Sequence, residues 1–158
     1  MNRPAGAARC ARRADVPAVS ALWQALVEAH AELGSAFALR PGADAELPRF
    51  VADLLDDPDA AVWVWEGPAG VSGFCAARRT RAPGSAEGQR VEITELMVSP
   101  PARRSGVGRS LAETALAWAS AGGARRAEVR VAAGNAAGQA FWRALGFGDL
   151  VDVLDRRL

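Results

Sequence analysis

The stretch VEITELMVSPPARRSGVGRS, Val91 to Ser110, decides how the rest of the chain is read. Val91, Ile93, Leu96, Met97 and Val98 suit a half-buried or buried strand. Pro100 and Pro101 remove two backbone donors and fix φ, so the strand should end there. The run Arg103-Arg104-Ser105-Gly106-Val107-Gly108 follows, and then Leu111, Thr114 and Trp118 recur at helical spacing. Unpaired N–H groups and the positive end of the dipole gather at a helix N-terminus. Glycines let that backbone approach a ligand and arginines add charge, which together make a seat for phosphate. A Walker loop is excluded because the chain has no lysine. The dinucleotide fingerprint would need a glycine where Leu111 stands.

Composition narrows the class. With 158 residues, half of them apolar and 23% charged, the chain is expected to be one globular domain, 1–158, with residues 1–6 a loose end. A formal net charge of +1 argues against a general nucleic-acid binder. Cys10 and Cys75 lie far apart without metal-ligand spacing, and the single His30 cannot complete a His-rich zinc site. The expectation is a reduced, cytoplasmic protein with no structural metal. No apolar run approaches the ~20 residues of a spanning helix, so no membrane partner is expected.

Taken in order, Ala8–Arg13 can form a first strand, and Asp15 with Pro17 starts a helix. Val19, Leu22, Trp23, Leu26, His30 and Leu33 share its apolar face, and Gly34 fits its C-terminal cap. His30 in that stripe reads either as a hydrogen-bonded core histidine or as part of an acceptor pocket. Ala45–Leu55 is a second helix whose end carries Asp53, Asp56, Asp57 and Asp59, in the ordinary case a solvated helix end and turn. Ala61–Trp65 and Val71–Arg79 form a hairpin, with Trp63 and Trp65 on one face and Val62 and Val64 on the other. Residues 80–89 are a polar, mobile loop. After the central strand and helix come a strand over Arg126–Val131, a helix over Ala136–Leu145 and a terminal strand or hairpin over Phe147–Leu158. The order β-α-α-β-β-β-α-β-α-β predicts an α/β fold with a mixed central sheet.

Arg103-x-x-Gly106-x-Gly108, behind a strand ending Leu96-Met97-Val98, resembles the acyl-CoA-binding signature of the GNAT N-acetyltransferase superfamily. A second block, Asn135-Ala-Ala-Gly-Gln-Ala-Phe141-Trp142-Arg-Ala-Leu-Gly146-Phe147, resembles that superfamily's Asn-x-x-Ala-x-x-x-(Phe/Leu)-Tyr-x-x-x-Gly-Phe motif. The predicted element order is similar to the GNAT layout over essentially the whole chain. The resemblance implies acetyl transfer from acetyl-CoA, as co-substrate and without metal, to a primary amine of a small molecule or protein. Relatives are often homodimers.

The resemblance also assigns roles. Arg103, Arg104, Ser105, Gly106, Val107, Gly108, Arg109 and Ser110 would wrap the CoA pyrophosphate. The main chain of Leu96, Met97 and Val98 would pair with the pantetheine arm and offer an oxyanion N–H. Asn135 would bond the pantetheine, unless it is simply a helix cap. Phe141, Trp142 and Arg143 would border the cofactor. Glu92 is the first choice of base, and Glu95 the second. The two carboxylates point opposite ways in an unbulged strand, so both reach the pocket only if the strand is bulged. Relatives carry a tyrosine as acid where Trp142 stands, and this chain has no tyrosine. Indole N–H is no practical acid near neutrality, which leaves water or Ser99 as proton source. It also leaves open a second reading, an acyl-CoA-sensing module with weak or no catalysis. A third, nucleic-acid binding through Arg103, Arg104, Arg109, Arg125, Arg126 and Arg130, lacks an aromatic RNA-binding signature.

Overall fold

The computed structural model describes residues 6–81, 84 and 88–156. Its frame is a five-stranded sheet whose spatial order, β1-β2-β3-β4-β5, follows the sequence. The strands are β1 Ala7–Cys10, β2 Ala60–Gly67, β3 Gly70–Arg81, β4 Gln89–Val98 and β5 Arg126–Val129. β1 to β4 pair antiparallel, and β5 joins β4 in parallel. The helices are α1 Val16–Ala31, α2 Leu47–Asp56, α3 Val107–Ala121 and α4 Ala136–Arg143. This is the predicted α/β architecture.

Both faces of the sheet are covered, which is why its strands are apolar on alternate residues of either parity. On one face Val62, Val64, Phe74, Ala76 and Met97 pack under α1 and α2. On the other, Trp63, Trp65, Cys75, Ala77, Val91 and Ile93 meet Leu111, Ala112, Ala115 and Ala119 of α3, and Trp142 of α4. Phe74, Ile93 and Leu111 are fully buried; each such side chain contributes about 1.5–3 kcal/mol. A Cβ on Gly73 would meet the Met97 carbonyl at 3.1 Å and Val107 and Leu111 at 3.2 Å. Glycine there lets the start of α3 lie close against β3, over the end of β4.

Several expectations change. β1 is shorter than Ala8–Arg13, ending at Cys10. Asp15 stands at the start of α1, yet its carboxylate does not cap the helix. It accepts two bonds from Arg9, at 2.7 and 2.9 Å, and one from the Arg12 amide at 2.7 Å. Arg9 is the stronger donor, so the carboxylate turns to it. Trp63 and Trp65 are core residues, 3% and 5% exposed, in line with a sheet covered on both faces. The terminal strand is absent over 147–156. α4 instead closes with Gly146 N–H on the Arg143 carbonyl and Phe147 N–H on the Trp142 carbonyl, at 3.0 and 3.1 Å. Residues 82–83 and 85–87 of the predicted mobile loop, and residues 1–5 of the predicted loose end, lie outside the described residues.

Candidate active site

The site is made where β4 and β5 part. Their pairing runs from Arg90 opposite Arg126 to Ile93 opposite Val129, where β5 ends, while β4 continues to Val98. On its other side β4 stays paired with β3 to Val98 opposite Gly73. The edge of β4 beyond Ile93 is therefore unpaired on this side, and Ile93 to Leu96 line a cleft of about 160 Å³. Val129, Arg130 and Val131 form the β5 side, Asn135, Phe141 and Trp142 of α4 a second wall, and Leu26 and His30 of α1 a third.

A β-bulge sets what points into this cleft. Consecutive residues Ala76 and Ala77 of β3 pair with Glu95 and Ile93, so Thr94 is the extra residue on β4. Its hydroxyl donates to the Ala76 carbonyl at 3.3 Å. The bulge restores parity across three residues: Glu92 lies opposite Arg78 and Glu95 opposite Ala76, on the face that α1 and α2 cover. Both carboxylates share a face, the condition the unbulged strand fails. Their surroundings differ. Glu92 is ion-paired to Arg130 at 3.3 Å and does not line the cleft. Glu95 lines it, and burial first, then the Glu92 charge, pushes its pKa up to about 7.

The other end of the site is the turn into α3. Arg103 Nε donates to the Val98 carbonyl at 3.0 Å, tying the turn to the strand end. Arg104 takes a left-handed φ of 62°, and Gly106, at the helix N-cap, 91°. Left-handed residues at alternate positions turn successive N–H groups toward one side, forming an anion nest. Ser110 is the first helix amide to reach a carbonyl, Gly106 O at 3.0 Å. The amides ahead of it point out of the helix end. Ser105 Oγ donates to Ala102 O at 2.6 Å, and Arg109 lies 3.5 Å from Glu113. Arginines at the positive end of a helix oppose its dipole by about 0.3–1 kcal/mol each. A bound anion reverses that sign.

The remaining predicted residues divide by what they reach. Leu96 and Met97 lie on opposite faces of β4, so only their main chain meets the open edge. Val107 is buried in the core beneath the start of α3. Phe141 bridges the two halves, since a Cβ on Gly108 would lie 3.5 Å from its ring and from Val98. Asn135 caps α4, its Oδ1 accepting from Gly138 N–H at 2.9 Å, and it also lines the cleft. Trp142 is 7% exposed, set edge-on between Phe141 and Phe147. Arg143 is drawn outward to Asp149 at 2.8 Å. His30 lines the cleft, with the Phe37 ring 6.0 Å away. Sequence reasoning missed Thr94 and the part Arg130 plays beside Glu92, neither of which carries a motif signal. The acidic end of α2 is largely neutralised within the chain: Asp56 pairs with Arg13, Asp57 with Arg78 at 2.7 Å, and Asp53 with Arg49 at 3.8 Å. Among the described residues no group of three or more His, Cys, Asp or Glu is placed to hold a metal, and no helix is long and apolar enough to cross a membrane.

A β4/β5 pair that parts beside the N-terminus of α3 is the frame of an acetyltransferase, and comparison with known proteins agrees. The family model described as Acetyltransferase (GNAT) family matches residues 19–147. The chain belongs to that family. Among solved structures, a mutant of the BH1408 protein from Bacillus halodurans superposes with a TM-score of 0.86 at 20% identity, covering 96% of this chain and 98% of the other. Aminoglycoside N-acetyltransferase AAC(6')-Iy in complex with CoA gives 0.78 at 18% identity, over 100% and 99% of the two chains. An acetyltransferase from Trypanosoma brucei gives 0.72 at 18%, over 97% and 99%. At such identities the likeness is one of fold. No curated protein sequence matches the chain significantly.

Proposed function

We propose that this chain transfers an acetyl group from acetyl-CoA to a primary amine of a small molecule or protein, by direct attack within a ternary complex. The observation that carries the reading is the bulge at Thr94, which sets Glu95 beside the open edge of β4. A lysine-like ammonium, with an ordinary pKa near ~10.4, cannot attack a thioester until it loses a proton. A carboxylate held near neutrality is suited to take it, directly or through water. Glu95, rather than Glu92, is the base, because Glu92 is engaged by Arg130.

The amides opening α3, with Arg104 and Arg109, hold the pyrophosphate, and the edge of Leu96–Val98 pairs with the pantetheine arm. An N–H of that edge faces the thioester oxygen and stabilises the oxyanion that forms as nitrogen bonds to carbon. The C–S bond then breaks, the nitrogen gives up its second proton to water, and water returns a proton to the departing thiolate, since Trp142 offers no acid. Holding the two reactants side by side supplies much of the acceleration. The buried indole is also what supports the second reading, an acyl-CoA-sensing module with weak or no catalysis.

Further parts of the proposal are a homodimer and a reducing, cytoplasmic setting. Leu150, Val151, Val153 and Leu154, exposed in the single chain, support the first. Free Cys10 and Cys75, on strands separated by β2, are in keeping with the second. No nucleic-acid partner is proposed, since a formal net charge of +1 gives little general attraction for a polyanion. Incubation with acetyl-CoA and a panel of amines, following free thiol and acetylated product, tests the proposal. Amine-dependent release of thiol is expected. Tight binding of acetyl-CoA without release would favour the sensing module, and no binding would refute both.

A further inference from the structure

The walls of the cleft differ in chemistry, and the difference bears on the acceptor. Glu95 is the one carboxylate that lines it among the described residues, and Arg130, whose guanidinium sits on a largely exposed side chain, lines it as well. Glu92, the nearest second carboxylate, is held by that guanidinium at 3.3 Å. At 100° per residue, Glu28 and Glu32 stand across the helix from His30. Asp53, Asp56 and Asp57 of α2 are paired with arginines. A second ammonium group in the cleft would find no free anion there.

The mouth beyond His30 is apolar. Leu33 and Phe37 are 40% and 44% exposed, unusual for residues of that size. Each stands next to the cleft wall rather than in it: the Phe37 ring lies 6.0 Å from the His30 ring, and a Cβ on Gly134 would lie 3.8 Å from Leu33. Gly134 precedes Asn135, which lines the opposite wall. Leu33 and Phe37 thus extend the apolar surface outward from a cleft that one carboxylate, Glu95, lines among the described residues.

We infer that the acceptor is a monoamine bearing an aromatic or branched aliphatic group, its nitrogen toward Glu95 and its apolar end between Leu33 and Phe37. The inference rests on the acetyl transfer proposed above and narrows it. Burying the apolar end supplies binding energy, whereas a polycation would leave charges unpaired against Leu26 and Leu33. His30 forms the step between the apolar mouth and the polar floor.

The test compares 2-phenylethylamine, ethanolamine and spermidine, first for binding to the CoA-saturated protein by calorimetry and then for acetylation. 2-Phenylethylamine is expected to bind at least tenfold more tightly than spermidine and to give the highest kcat/KM. Phe37→Ala should raise its KM about tenfold, the scale of lost apolar contact in a pocket, and leave kcat/KM for ethanolamine unchanged. Leu33→Ser serves as a second variant, with melting curves to confirm that each folds. Spermidine bound or acetylated as well as 2-phenylethylamine would overturn the inference while leaving acetyl transfer intact. The predicted binding order with no acetylation of any amine would uphold this acceptor site and refute the transfer. Phe37→Ala and Leu33→Ser indistinguishable from the parent with 2-phenylethylamine would also overturn it.

Discussion

Glu95 and Asp15 are carboxylates that the fold pushes in opposite directions, and each leaves a signature in stability. Glu95 is raised to about 7, so the folded protein disfavours its charged form. That penalty is absent below the unfolded pKa, near ~4.3, grows as pH rises and is complete above about 7. Glu95→Gln should therefore raise Tm at about pH 8 and change it little at about pH 5. A Tm at pH 8 no higher than the parent's would contradict the burial described here. Asp15 is lowered by its bonds to Arg9. Its contribution is present above the unfolded value of about 3.9 and is lost as pH falls through the lower folded value. Asp15→Ala should cost about 2–3 kcal/mol at neutral pH, measured by denaturant unfolding, and flatten the acid limb of the stability curve. Both carboxylates near the cleft were legible in the sequence, but not that they share a face of the sheet. Strand periodicity places Glu92 and Glu95 on opposite faces, and only the extra residue at Thr94 brings them together. Alternation of apolar residues does not reveal a bulge, because Ile93 and Leu96 are both apolar and fit either register.

The turn Arg103–Ser110 is the element most completely readable in advance, since glycine, proline and arginine each limit the backbone in a known way. Its left-handed Arg104 was not, for nothing in an arginine announces a positive φ. A side chain at Gly108 would meet Phe141 and Val98 only at ordinary contact distance. Gly108→Ala should thus fold and keep the rise in Tm that acetyl-CoA produces. Gly108→Glu should fold and lose it, because a carboxylate at the mouth of the nest repels the diphosphate. Equal ligand-induced shifts in the parent and Gly108→Glu would place the cofactor elsewhere. Helices α1 to α4 were legible from their apolar stripes, and the hairpin from its turn. The expected last strand was not realised over 147–156, although Leu150, Val151, Val153 and Leu154 have the apolar character of one. Strand propensity needs a partner edge, and a single chain leaves that stretch exposed.

At the scale of the molecule, the proposed reaction has acetyl-CoA and amine reach one point from separate sides of the parted strands. Cys75 is fully buried, and burial holds its thiol well above the ordinary range; Cys10 lies on β1, at the far edge of the sheet. Neither is placed to carry the acetyl group as an intermediate. Initial rates with both substrates varied should accordingly give intersecting double-reciprocal lines, and parallel lines would indicate an acyl-enzyme. The sequence foretold the family because its signature lies in local motifs. It did not foretell the cleft, which α1, α4 and the β4 bulge assemble from distant positions. The central claim is that Glu95, at the open edge of β4, removes the amine proton. Its most direct test is the pH dependence of amine-dependent thiol release for the parent and for Glu95→Gln at saturating acetyl-CoA. The parent rate should rise through about pH 7, and Glu95→Gln should lose that rise and fall about 10²–10⁴-fold at pH 8. An unchanged profile in Glu95→Gln, with acetyl-CoA binding intact, would contradict the account.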